Sequence, residues 1–423
     1  MSIERRDFLK LCSLSSMALM APWAVPLARA GEGDGYDGPL WINVHAGGGW
    51  DPTSLCDPKG RANEDAEAPV NLYFTDEIGT AGNLSYAPVP GHQAFFEKYA
   101  SQLLVINGID TATNGHDSGT RNTWSGKLSE GYPSFSALVA GVLEPTRPLS
   151  FLSNGGYDAT AGLVAPTRVG NPGALTKLAY PNRINPDYSD DQYHSTSTAE
   201  RIAQARAARL DRQRAAARLP RVAESMGMLY NARIGENNLK LLTEVLPDTL
   251  DNGNNPLKRQ AQLAVAAYKA KLAVSANLSI GGFDTHSNHD VSQFARLQLL
   301  LEGIDFLVQE AEAQGVADKL VVVVGSDFGR TPYYNEGNGK DHWSITSMML
   351  MGPGIAGNRV VGATDELFKP KTVDAATLAL DSSGIRLTPE HVHRALRDLA
   401  GITDHPIEAG YPLSAETLPL FSA

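Results

Sequence analysis

Leu320-Val321-Val322-Val323-Val324-Gly325-Ser326-Asp327 is the stretch on which the fold turns. Its five successive apolar residues lack the alternation of a half-exposed strand, so they suit a strand buried on both faces, as in the middle of a parallel sheet. Four further short, apolar-rich runs read as strands: Leu40-Trp41-Ile42-Asn43-Val44, Leu103-Leu104-Val105-Ile106, Ala276-Asn277-Leu278-Ser279-Ile280 and Ser347-Met348-Met349-Leu350-Met351. Helical patterns lie between them at 134–143, 255–275, 291–314 and 389–399, the last opened by Thr388 as N-cap with Pro389 in the first turn. Strands alternating with helices predict a doubly wound α/β sandwich, with a mostly parallel central sheet and helices on both faces. In such a sheet, functional groups gather on the loops beyond the strand C-termini.

The 423 residues carry 36 Lys+Arg against 47 Asp+Glu, a net charge of −11, and 42% are hydrophobic, which is enough for a sizeable core. The acidic balance argues against a nucleic-acid partner, because neutralising phosphates needs a basic face. Two cysteines exclude a disulfide framework. Residues 1–30 read as a discarded address. Arg5-Arg6 precedes a short apolar run that ends in Ala28-Arg29-Ala30, which is the pattern of a twin-arginine secretory signal. Pro22 and Pro26 within that run weigh against a membrane anchor. Cleavage after Ala30 removes four basic and two acidic residues, takes the charge to −13 and leaves Cys56 as the single thiol. The expected location is therefore periplasmic or secreted, with no stable membrane span.

Residues 31–423 are then expected to form one α/β domain, with 154–250 as a loop-rich and helical insertion or cap. Seven arginines between positions 201 and 221 fit a solvated helix face.

Five polar clusters follow the strands. They are His45-Ala46-Gly47-Gly48-Gly49-Trp50-Asp51, then His116-Asp117-Ser118-Gly119-Thr120-Arg121-Asn122-Thr123-Trp124-Ser125-Gly126, then Gly281-Gly282-Phe283-Asp284-Thr285-His286-Ser287-Asn288-His289-Asp290, then Gly325-Ser326-Asp327-Phe328-Gly329-Arg330-Thr331 and finally Lys340-Asp341-His342-Trp343. Carboxylates converging in one cleft repel unless a cation lies among them. Asp with neutral imidazole suits zinc first, while the several carboxylates also suit Mg, Mn or Ca.

Gly282-Phe283-Asp284-Thr285-His286, Ser326-Asp327-Phe328-Gly329-Arg330-Thr331-Pro332 and Asp341-His342-Trp343, in that order and spacing, resemble a twin-arginine-exported bacterial family of unknown function within the alkaline phosphatase and sulfatase superfamily. The resemblance implies one or two divalent ions, usually zinc, and a nucleophile at a helix N-terminus. It points to Asp117-Ser118 as the nucleophile segment, with Ser118 the attacking group. It points to Asp51, Asp284, Asp327 and His342 as ligands, with His286 or His289 as a further one. Arg121 or Arg330 can grip the anionic oxygens of a substrate. Phe328 stands where alkaline phosphatases place a histidine, which removes one ligand. Cys56-Asp57-Pro58-Lys59-Gly60-Arg61 misses the sulfatase arrangement for formylglycine by one residue.

The expected function is an exported, metal-dependent hydrolase of small anionic phosphate or sulfate esters, with a phosphotransferase or mutase differing only in the acceptor. The alternative from another class is a non-catalytic metal-binding protein of the same fold that binds a cell-envelope partner or polysaccharide.

Overall fold

Every residue of Leu320–Ser326 is buried, as its unbroken apolar run requires. The structure, a computed structural model, describes residues 36–422 apart from 148, 169–176, 178, 186–187, 220–221, 223–224, 227–238 and 248. The signal expected at 1–30 lies outside these residues.

The central sheet contains β1 (Leu40–Gly47), β2 (Leu104–Asp110), β3 (Phe151–Ser153), β4 (Pro166–Arg168), β5 (Ser275–Gly281), β6 (Leu320–Ser326), β7 (Ile345–Met351) and β8 (Arg359–Val361). Their order across the sheet is β8-β2-β7-β6-β1-β5-β3-β4. The five strands expected from the sequence are contiguous in its middle, β2-β7-β6-β1-β5, with β8 at one edge and β3-β4 at the other. β1 runs parallel to both β5 and β6, while β7 is antiparallel to its neighbours β2 and β6. The fold is therefore α/β with a mostly parallel sheet.

Alternate strand residues feed two cores, as the two-residue period dictates. Leu40, Ile42, Val44, Val322 and Val324 face a layer that holds Leu297, Leu300 and Ile304. Trp41, Val321, Val323 and Leu350 face the opposite layer, with Trp124, Phe135, Val139 and Leu396. The helices supplying these layers include α1 (His92–Tyr99), α2 (His116–Ser125) and α3 (Phe135–Leu143). After a stretch with α4 (Thr196–Ala216) and α5 (Leu239–Val245) come α6 (Pro256–Lys269), α7 (His289–Ala313) and α8 (Pro389–Leu399). α6 stops short of the expected end because Lys271 turns left-handed, at φ 60, and Ser275 already belongs to β5. α8 begins as expected, with Pro389 in its first turn and a capping box between Thr388 and His391.

The register aligns Ala46 with Ser326 and Gly47 with Gly281. The loops after β1, β5 and β6 therefore leave one edge of the sheet together. The loop after β2 leads into α2 at that edge, and His342 stands just before β7 enters it. Among the described residues, no helix is long and apolar enough to cross a membrane.

Candidate metal centre

At this edge His116, Asp284 and His342 converge, with one ligand atom from each lying within 4.8 Å of the others. His116 is the first residue of α2, Asp284 lies in the loop after β5, and His342 is in a short ribbon that pairs 342–343 with 329–330. His286 joins them. Its Nε2 is 3.0 Å from Asp284 Oδ1 and 3.0 Å from His342 Nε2, and His342 Nε2 is 3.1 Å from the same carboxylate oxygen. His116 Nε2 lies 3.4 Å from Asp284 Oδ2.

The partners of the other ring nitrogens fix what these Nε2 atoms carry. A carboxylate or a backbone carbonyl only accepts, so a ring nitrogen held against one bears the proton. His116 Nδ1 donates to Asp327 Oδ2 at 2.6 Å, His286 Nδ1 to Asp341 Oδ1 at 2.7 Å, and His342 Nδ1 to the Asn114 carbonyl at 2.8 Å. In each neutral ring Nε2 is then a lone pair, and all three lone pairs face one carboxylate. Without a cation this arrangement repels, unless a ring takes up an extra proton. A divalent ion would relieve that repulsion: His116, Asp284 and His342 each bring a ligand atom within 4.8 Å of the others, against roughly 3.3 Å between ligands around a tetrahedral zinc, and His286 adds a nitrogen beside Asp284 and His342. With three imidazoles and one carboxylate, the donor set suits zinc or a similar transition ion better than calcium or magnesium.

Asp284 is ionised for this role. Burial pushes its carboxyl up, but the hydrogen bond and positive charge of Arg330 outweigh that and hold it at about 2. Asp327 is likewise held below the usual range: its burial is outweighed by His45 and His116. Phe328 packs against both His116 and His342, with ring centroids 5.0 and 4.4 Å away, so it backs two ligand rings that themselves meet edge to face at 4.6 Å, at the position where alkaline phosphatases place a histidine. Gly48, at φ +119, lets the first loop pass directly against the Asp284 backbone, where any Cβ would collide.

The remaining sequence candidates fall elsewhere. Asp51 and His289 are brought together, but with Lys340, in a fully buried cluster. Asp51 Oδ2 accepts from Lys340 Nζ at 2.7 Å and from His289 Nε2 at 3.0 Å, while Oδ1 accepts from Thr53 N at 2.9 Å. Burial would raise the Asp51 carboxyl, yet Lys340 and His289 hold it well below the ordinary range. This carboxylate already has its counter-charge in Lys340.

Ser118 and Thr113 share a hydrogen bond of 2.6 Å, and the Ser118 hydroxyl also donates to the Gly115 carbonyl. Asp117 and Arg121 line a cleft with His45, Thr120 and Tyr157. Arg121 donates from Nε to the Leu128 carbonyl. Arg330 is buried with every guanidinium nitrogen engaged: Nε on Gly49 O, Nη1 on Lys340 O, and Nη2 on Gly48 O and Asp284. It ties the loops together. Cys56 is 2% exposed, and burial pushes its thiol far up, so it stays protonated.

His116, His45 and Asp341 were not singled out from the sequence, although each stands in one of the strand-end clusters. His116 was masked by the adjoining Asp117-Ser118 pair, which reads as a nucleophile segment. The available signal was its place at the very start of the helix after β2.

The fold and the site together define an α/β protein with a histidine-rich candidate metal centre at the carboxyl edge of its sheet. The family described as "Protein of unknown function (DUF1501)" matches residues 40–379, and the chain belongs to it. No curated protein matches. Similar solved structures include the PsFucS1 sulfatase from Pseudoalteromonas sp., 10% identical with a TM-score of 0.39, covering 87% of this chain and 68% of that one. Another is the lipoteichoic acid synthase LtaP from Listeria monocytogenes, 9% identical with a TM-score of 0.39, covering 87% and 73%. A third is the alkaline phosphatase from the Antarctic bacterium TAB5, 9% identical with a TM-score of 0.33, covering 75% and 92%. These overlaps are loose, and the α/β assignment rests on the strand order and helix layers described above.

Proposed function

We propose that this chain is an exported, metal-dependent hydrolase of phosphate or sulfate esters, working in the periplasm or outside the cell. The observation that carries it is the convergence of three imidazole Nε2 atoms on the Asp284 carboxylate, at an edge open to solvent. A bound divalent cation supplies Lewis-acid charge for an ester oxygen there.

The chain's own groups supply the rest. The cap residue of α2, Gly115, makes no side-chain cap, so the first-turn amide N–H groups are left to hold an anionic ester oxygen beside the cluster, and the helix dipole favours that charge. Asp284 and the imidazoles of His116, His286 and His342 would hold the cation, and Arg330 holds Asp284. Phe328 excludes water from one side. Ser118, in the same first turn, is the proposed nucleophile. Its hydroxyl must rotate off Gly115 O to reach a substrate; its oxygen then bonds to phosphorus or sulfur as the bond to the ester oxygen breaks, the serine proton ends on the departing alcohol, and water hydrolyses the serine ester to release phosphate or sulfate and restore the hydroxyl.

The resting direction of that hydroxyl favours the second reading, a metal-binding protein without turnover. Purified protein assayed against phosphate monoesters, diesters and sulfate esters decides between them. The proposal expects turnover that is lost with the metal and in Ser118→Ala. Metal binding without turnover on any of these esters supports the second reading.

A further inference from the structure

The resemblance to alkaline phosphatases makes Asp327 a direct metal ligand. The structure assigns it a different role, that of a positioning residue acting on the metal through His116. This inference rests on the metal reading above and deepens it.

Asp327 is only 3% exposed, and both of its oxygens face protein groups. Oδ2 accepts from His116 Nδ1 at 2.6 Å and from the Gly48 amide at 3.2 Å. Oδ1 is buried and lies 3.1 Å from His45 Nε2, although it has no well-aligned hydrogen bond among the described residues. The indole N–H of Trp124 donates to His45 Nδ1 at 2.9 Å. Indole nitrogen only donates, so His45 Nδ1 is the acceptor and its proton sits on Nε2, facing Asp327. Trp124 thus orients His45, whose Nε2 proton faces one oxygen of Asp327, while the other oxygen accepts from His116. The effect is to hold the His116 proton on Nδ1 and aim the Nε2 lone pair at the cluster, the role a carboxylate behind a metal-bound histidine performs. Steric packing supports the same placement. Gly119 on α2 lies so close to the Asp327 carbonyl that a Cβ would collide with it, so the start of α2 is seated directly on the end of β6.

The test measures zinc affinity of the full chain by competition with a chelator, alongside the visible spectrum of the cobalt-substituted protein. Removal of such a partner weakens metal binding roughly 10–100-fold. Asp327→Asn is expected to show that loss while still taking up as many ions per chain as wild type at saturating zinc, with a cobalt spectrum of unchanged coordination number. In a His116→Ala background, Asp327→Asn is expected to add no further loss, because its effect runs through that ring. His45→Gln, which removes the ring behind Asp327 without touching the cluster, is expected to weaken zinc binding in the same direction and keeps the test open should Asp327→Asn not fold. Loss of one ion per chain in Asp327→Asn, a changed coordination number, or undiminished affinity in both Asp327→Asn and His45→Gln would overturn the inference. Wild-type protein that takes up no zinc would instead overturn the metal reading beneath it.

Discussion

Asp51 sits at the strand end where a ligand is expected, yet it is built into a buried ion pair, and that difference has a measurable size. The Lys340–Asp51 contact is 2.7 Å with both side chains at 0% exposure. Lys340 also donates to Asn71 Oδ1 at 2.7 Å, and Asp51 accepts from Thr53, Ser54 and His289. Lys340→Met removes the cation and leaves a carboxylate with no water and no counter-charge. Asp51→Asn strands the ammonium in the same way. Breaking one side of a buried pair costs about 3–5 kcal/mol. Each single variant is therefore expected to lose about that much unfolding free energy, measured by urea denaturation at neutral pH. The double variant Asp51→Asn/Lys340→Met is expected to lose clearly less than the sum of the two, since neither charge is then left alone. Metal content is expected to match wild type in every variant that stays folded. Single variants within about 0.5 kcal/mol of wild type, the range of ordinary surface changes, or an Asp51→Asn protein that is stable but metal-free, would refute the assignment of Asp51 to the core.

Other consequences follow from the same contacts. Burial pushes His92 and His393 down to about 4. Their folded values lie below the unfolded one, so the stability they contribute is complete above about pH 6.5 and is lost as pH falls toward 4, by about 3 kcal/mol each at most. Denaturation series across that range should show a shallower slope in His393→Gln than in wild type. Gly119→Ala drives a methyl into the Asp327 carbonyl, with an expected cost of about 1–3 kcal/mol and weaker zinc binding as His116 is displaced, both readable on one purified variant. Cys56 is expected to resist thiol reagents in the native protein and to react on unfolding, as followed by a chromogenic disulfide.

The parts of the fold legible in the sequence were those set by apolar runs. Leu320–Ser326 suits a buried strand and is one, and its four companions are strands as well. Strand direction was not legible, because a run such as Ser347-Met348-Met349-Leu350-Met351 packs equally well either way; β7 is antiparallel because the chain returns from the carboxyl edge through His342. The site was legible as a set of strand-end clusters, but spacing could not divide them. His286 and His289 are three residues apart, yet His286 faces the solvent edge toward Asp284 while His289, the first residue of α7, points inward to Asp51. Lys340 decided that division, and nothing in its local sequence marks a lysine that will be fully buried. Phe328 was legible as a missing ligand, though its packing against both His116 and His342 depends on three segments distant in the chain.

Metal analysis of the protein, purified in its folded state, tests the central claim most directly. One divalent transition ion per chain is expected in the wild type, with that ion absent from Asp284→Ala and His342→Ala variants whose folds remain intact by circular dichroism. Metal-free wild type that is fully folded and takes up no zinc on addition, or unchanged metal content in both variants, would contradict the account.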